Sequence, residues 1–163
     1  IGDRPDYAHY LPGSNYRLGQ FQAAVLNAQI DKFPSQSELR DKNGKLLTEM
    51  LNEIEGVRPQ KRADNLTRHG YYLYTFILEA DIPRKAFKEA LAAEGCLVQL
   101  EYPAIHTLPF MKPYLNSSLE FPVSSLLGDR SVWFYHNALL GTEKQIEQTA
   151  EAVRKVISAA DSL

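Results

Sequence analysis

Residues 71–78, Tyr-Tyr-Leu-Tyr-Thr-Phe-Ile-Leu, decide the fold class. The run is aromatic and β-branched, a composition that suits a pleated and packed surface. Its two alternating sets are both largely apolar: Tyr72, Tyr74, Phe76 and Leu78 against Tyr71, Leu73, Thr75 and Ile77. A strand apolar on both sides is expected at the centre of a sheet or covered on each face. Working outward, Asp81 can cap a short helix with Pro83 in its first turn. Phe87, Ala90 and Leu91 would face the sheet, and Gly95 would end the helix. Residues 96–100 form a second expected strand and residues 132–135 a third. Thr142-Glu143-Lys144-Gln145 is a capping-box pattern opening a last helix, with Ile146, Ala150, Val153, Val156 or Ile157, and Ala160 on its inner side. Strand, helix, strand, long loop, strand, helix predicts a small α+β fold: a three-stranded sheet with helices on one face.

Two helices are expected upstream. From about Leu18, the residues Leu18, Phe21, Val25 and Ala28 recur at steps of three and four, and Phe33-Pro34 should end that helix. Ser35-Gln36-Ser37-Glu38 reads as a second capping box, before Leu39, Leu46, Leu47, Met50, Leu51 and Ile54 at helical spacing. Gly56 suits its stop. Residues 57–69 are polar, contain Pro59 and four basic residues, and read as a loop. Residues 103–122 form a long loop whose four prolines accompany Tyr102, Ile105, His106, Leu108, Phe110 and Tyr114 nearby; it is too aromatic for simple disorder. A short helix over 123–127 should follow it.

The chain has 163 residues, 44% hydrophobic and 23% charged, an ordinary globular balance that argues against disorder. Eighteen basic residues against twenty acidic ones argue against a broad nucleic-acid surface. Cys96 is the only cysteine, which excludes an internal disulfide. No apolar run is long enough to span a membrane. Ile1-Gly2-Asp3-Arg4-Pro5 has neither a start residue nor a signal pattern, so the chain is expected to be a piece of a larger protein.

Three places could carry chemistry. Gly13-Ser14-Asn15-Tyr16-Arg17 precedes a helix, whose first amides can receive an anion, with Asn15 and Arg17 as added donors. A simple cap with a surface arginine is the plainer account. Arg68-His69 stands at a strand mouth and could bind an anion, or could be a solvated loop end. Tyr102-Pro103-Ala104-Ile105-His106 leaves a strand into the aromatic loop, where His106 could meet a hydroxylated ligand or merely pack. His136, at the end of the last strand, reads more simply as structural. The histidines at 9, 69, 106 and 136 lack metal-ligand spacing, and no glycine-rich nucleotide loop or nucleophile elbow is present. Cys96, inside an expected apolar strand, reads as core. Polar edges without a self-contained active site suggest half of a composite site.

The stretch from Gly13 to Ile30, with Asn15-Tyr16-Arg17-Leu18 followed by Phe21-Gln22-Ala23-Ala24 and Gln29-Ile30, resembles a segment of the DegT/DnrJ/EryC1/StrS aminotransferases. Leu18 stands where that family usually has methionine, and Gln20 where it usually has glutamate. Tyr72-Leu73-Tyr74, Tyr102 to His106 with Pro109, and Ser131 to His136 before Leu139-Leu140 fit in the same order, so the resemblance spans nearly the whole chain. The tryptophan-containing segment is more similar to the branch acting on cyclitol ketones and aminoshikimate-type precursors.

The resemblance implies the C-terminal portion of a fold type I, pyridoxal-phosphate-dependent enzyme. Residues 1–34 would be the edge of the large cofactor domain, 35–56 a connecting helix, and 57–163 the small α+β domain. The whole enzyme would be a cytoplasmic homodimer moving an amino group from glutamate or glutamine to a keto-sugar or cyclitol ketone, with no nucleic-acid or membrane partner. Its cofactor lysine would lie upstream of the matched region, so the chain alone is expected to be inactive. Asn15 matches the residue that reaches the partner subunit's cofactor phosphate. Tyr102 and His106 match a loop near substrate, and Arg68 and His69 are looser candidates for a substrate carboxylate. The competing reading is a self-standing α+β ligand-binding or interaction module without catalytic activity.

Overall fold

The computed structural model describes residues 16–100, 102–116 and 119–160. Its elements, in chain order, are α1 (Gln20–Ile30), α2 (Phe33–Asn52), β1 (Val57–Pro59), β2 (Leu73–Leu78), α3 (Arg84–Ala93), β3 (Gln99–Leu100), α4 (Pro122–Arg130), β4 (Ser131–Tyr135) and α5 (Glu143–Ser158). Short 3-10 turns occupy Ile105–Thr107, Pro109–Tyr114 and His136–Leu140. The chain divides into two compact units, Ile1–Pro34 and Ser35–Leu163.

The smaller unit carries α1. The helix has apolar residues around its circumference and buries none of them: Phe21 is 80% exposed, and Val25, Leu26 and Ile30 are also open. A helix hydrophobic on all sides normally lies inside a larger body.

In the larger unit the sheet is antiparallel throughout, in the order β1-β2-β4-β3. It therefore has four strands, not the expected three. The added strand, β1, lies in the segment expected to be loop. Val57 is buried opposite Leu78 there, and Pro59, which has no amide hydrogen, is tolerated because β1 is an edge. β2 and β4 pair in the middle, with Tyr74 opposite Phe134 and Phe76 opposite Val132. These four side chains face the helices. Leu47 and Leu51 of α2, Phe87 and Leu91 of α3, and Ile146, Ala150 and Val153 of α5 complete one core with them. Phe76 stacks on Phe134, at 5.4 Å between ring centres, and meets Phe87 edge-on. On the other face Ile77 and Trp133 are also buried, as a strand apolar on both sides requires.

Several boundaries moved. α2 starts at Phe33 with Pro34 in its first turn, so Ser35–Glu38 lies inside the helix instead of capping it. α3 is preceded by Pro83, with no side-chain cap from Asp81. Only Gln99–Leu100 of the second expected strand pairs, so Cys96 lies in the turn after α3, half-buried. The long loop after β3 is built largely of 3-10 turns, and α4 runs longer than expected. The capping box of α5 is as expected: the Gln145 amide donates to the Thr142 hydroxyl, and the Thr142 amide donates to Gln145 Oε1 at 2.8 Å.

Phe87→Ala removes a fully buried ring and should cost about 3–5 kcal/mol, whereas Phe110→Ala, at an exposed ring, should change stability by less than about 0.5 kcal/mol. Urea unfolding of both variants checks this. Similar losses would contradict the assigned core.

Candidate functional site

α2 changes character along its length. Its C-terminal half buries Leu47 and Leu51, but its N-terminal half continues the same face with Ser37, Arg40, Asp41, Asn43 and Gly44. Leu39, one of the apolar residues read at helical spacing, is exposed. Asn43 donates to the carbonyls of Leu139 and Gly141, at 2.9 and 2.8 Å, fixing the turn before α5. At Gly44 an added Cβ would stand 2.5 Å from the Tyr71 ring, so only glycine lets that ring close on the helix. Tyr71 has φ of 42°, a left-handed conformation that disfavours an aromatic residue by roughly 1–2 kcal/mol. The packing of its ring against α2 holds it there.

Asp41 is the centre of this region. Its carboxylate is paired with Lys45 at 2.8 Å and with Arg62, and it accepts the His69 backbone amide at 2.8 Å. Burial alone would raise its pKa. The hydrogen bonds from Lys45, His69 and Arg62 outweigh that and hold the carboxyl at about 2. His69 accepts the Tyr71 amide on Nδ1 at 3.0 Å, and its ring lies 4.1 Å from that of Tyr71. Burial, with the nearby Arg62 cation, lowers the His69 pKa and favours the neutral ring. His69 is thus part of the scaffold. Arg68, beside it, is exposed and lines an open groove of about 790 Å³ with Ser35, Lys42, Lys45, Thr67 and Glu143.

Tyr102 and His106 lie elsewhere. β2 runs from the Tyr71 end of the sheet to Leu78, a distance of about 17 Å. β3 pairs with the first half of β4, which lies opposite the far end of β2, and the chain leaves β3 there toward Tyr102. Tyr102 is exposed. His106 Nε2 is 3.1 Å from Ser125 Oγ of α4, and its ring stacks on Phe121 with centres 4.8 Å apart. Arg68 with His69 and Tyr102 with His106 therefore occupy opposite ends of the sheet, and the fold does not gather them into one site. His136 is exposed at the Tyr71 end, 6.3 Å from the Tyr72 ring. Asn15, with Gly13 and Ser14, lies outside the described residues.

Sequence reasoning missed Asp41, Lys45, Arg62 and Ser125. A signal for the first existed: Ser37, Arg40, Gly44, Leu47 and Leu51 share one helical face, so the polar half of that face had to be buried with the apolar half. Burial raises the Cys96 thiol pKa, countered in part by a hydrogen bond with Thr149, so the thiol is poorly suited as a nucleophile. Among the described residues no cluster of His, Cys, Asp and Glu could hold a metal ion, and no helix is long and apolar enough to cross a membrane.

A sequence model of the DegT/DnrJ/EryC1/StrS aminotransferase family matches residues 2–154. This chain belongs to that family. It is 34% identical to an L-glutamine:2-deoxy-scyllo-inosose aminotransferase of Streptoalloteichus tenebrarius over 90% of this chain and 39% of that protein. It is 29% identical to the 3-amino-5-hydroxybenzoate synthase of Amycolatopsis mediterranei over 94% of this chain and 42% of that protein. Among solved structures, 3-amino-5-hydroxybenzoic acid synthase superposes with a TM-score of 0.79 at 26% identity, covering 97% of this chain and 44% of the other. The chain thus spans about two fifths of these aminotransferases.

Family members depend in general on pyridoxal phosphate, but the described groove does not fit that cofactor unaided. An anchoring lysine must be desolvated and free to react. Lys42 and Lys45 are instead more than half exposed and ion-paired with Glu143 and Asp41.

The depressed Asp41 pKa is a stabilising contribution with a defined pH window. It is complete above the ordinary carboxylate value near 4 and is lost as pH falls toward 2. Asp41→Asn should cost about 2 kcal/mol at pH 7 and progressively less below pH 4. Urea unfolding of both proteins across this range measures it; a difference that does not shrink in acid would contradict the assigned pairing.

Proposed function

We propose that this chain is the C-terminal part of a pyridoxal-phosphate-dependent aminotransferase that moves an amino group from glutamate or glutamine to a ketone on a cyclitol or keto-sugar ring. The observation that carries this reading is the family match over residues 2–154, joined to relatives whose names specify a cyclitol ketone as acceptor. The division after Pro34 supports assigning residues 1–34 to the edge of a large cofactor domain; residues 35–56 would then be a connecting helix packed on the small domain, residues 57–163. The exposed apolar surface of α1 is what such an edge would present to the rest of that domain.

Bound, the cofactor would supply an electron sink for the amino acid's α-carbon. This chain's residues would bind and orient. His106 and Tyr102, on the loop after β3, would meet the hydroxylated ring of the acceptor. Arg68 would offer its guanidinium to a carboxylate at the groove, and His69 would hold the backbone beside it. Asn15 would donate to the cofactor phosphate of the partner subunit in a cytoplasmic homodimer, making each site depend on both subunits.

The full-length protein, incubated with L-glutamine or L-glutamate and 2-deoxy-scyllo-inosose or a keto-sugar nucleotide, should release an amino product. No transfer to either class of ketone would overturn this function. The 163-residue chain mixed with pyridoxal phosphate should give no borohydride-trapped adduct at one lysine, and a stoichiometric adduct would overturn the fragment reading. In the full-length protein, Asn15→Ala should weaken cofactor retention about ten- to hundredfold through loss of one charged hydrogen bond. A mixed dimer of an Asn15→Ala subunit and a subunit lacking the anchoring lysine should stay active, because both defects then fall on one site. A dead but assembled mixed dimer would refute the cross-subunit role.

A further inference from the structure

His106 sits on a 3-10 turn, a short element with little rigidity of its own. α4 supplies what the turn lacks. The Ser125 hydroxyl meets Nε2 at 3.1 Å. The Phe121 ring lies 24° from parallel to the imidazole and sets its plane. Buried Gly128, three residues further along α4, lets the helix approach the backbone: a Cβ there would stand 2.9 Å from the Ala104 amide nitrogen. Two contacts from α4 and one from Phe121, the residue before it, thus fix the backbone, one nitrogen and the plane of a single half-buried histidine. Among the described residues Nδ1 has no hydrogen-bond partner.

We propose that Ser125 is a positioning residue for His106, its hydroxyl engaging Nε2 so that one tautomer prevails and Nδ1 is presented to a hydroxyl or carbonyl of the acceptor ring. This rests on the reading of His106 as an acceptor-binding residue. In a neutral imidazole one nitrogen donates and the other accepts, so a partner on Nε2 decides what Nδ1 can do. With the Ser125 hydroxyl as donor to Nε2, Nδ1 carries the proton and turns a donor toward an oxygen of the ligand. Phe121 contributes orientation without competing for a hydrogen bond.

The test has two arms. In the first, nitrogen-15 NMR of the His106 ring is recorded in the 163-residue chain at a pH where the imidazole is neutral. One tautomer should dominate in the native protein, Ser125→Ala should give a mixture, and Ser125→Thr, which keeps the hydroxyl, should restore the native pattern. Identical spectra for Ser125→Ala and the native chain would overturn the proposal. In the second arm, Ser125→Ala in the full-length enzyme should raise KM for the ketone about three- to tenfold, the effect of one neutral hydrogen bond, with the amino-donor half-reaction unchanged. Native activity with an unmoved ketone KM in Ser125→Ala would overturn this proposal and leave the function intact. A native enzyme that transfers no amino group would instead overturn the function.

Discussion

The antiparallel pairing of β2 with β4 sets the frame on which the larger unit is built. Its register places Tyr74, Phe76, Val132 and Phe134 on one face, where α2, α3 and α5 close over them. A slip of β4 by one residue against β2 would turn Val132 and Phe134 outward and bring Ser131 into the core, so burial itself holds the register. From that pairing follow the two ends of the sheet. The end before β2 receives α2's polar half, and the end where β4 begins receives α4 and the loop carrying His106.

The two ends are held differently. At the Tyr71 end, charge is the adhesive: Asp41 binds Lys45, Arg62 and the chain at His69, with Gly44 admitting the Tyr71 ring. A carboxylate so nearly buried is stable there because donors surround it. The partners come from α2, the loop after β1 and the strand mouth, so this one group ties together segments far apart in sequence. At the other end Arg130 of α4 donates to the Leu78 and Glu79 carbonyls, while the loop itself is held through an imidazole, a hydroxyl, a phenyl ring and a glycine. A loop held by such contacts can be specific in geometry without carrying a fixed charge.

Elements with strong local signals were legible in advance. The 71–78 run, the α5 capping box and the apolar steps of α2 near Leu47 and Leu51 all declare themselves within a few residues, because period and capping chemistry are local. β1 did not, since a three-residue edge strand ending in proline has no pattern of its own and exists because β2 offers it a partner. Of the candidate site, His106 and Arg68 stood out as polar residues in telling places, but nothing local linked His106 to Ser125 or Asp41 to Arg62.

The amino-acid sequence by itself determined an α+β chain, its main helices and central strand, and, through the ordered motifs from Asn15 to His136, its family. Only the tertiary structure decided that Arg68 and His106 lie at opposite ends of one sheet, that His69 is committed to the scaffold, and that Ser125 attends His106. Periodicity and family motifs are written in neighbouring residues. The partnerships of side chains nineteen or more residues apart exist only after strand register and helix packing have fixed where each backbone stands.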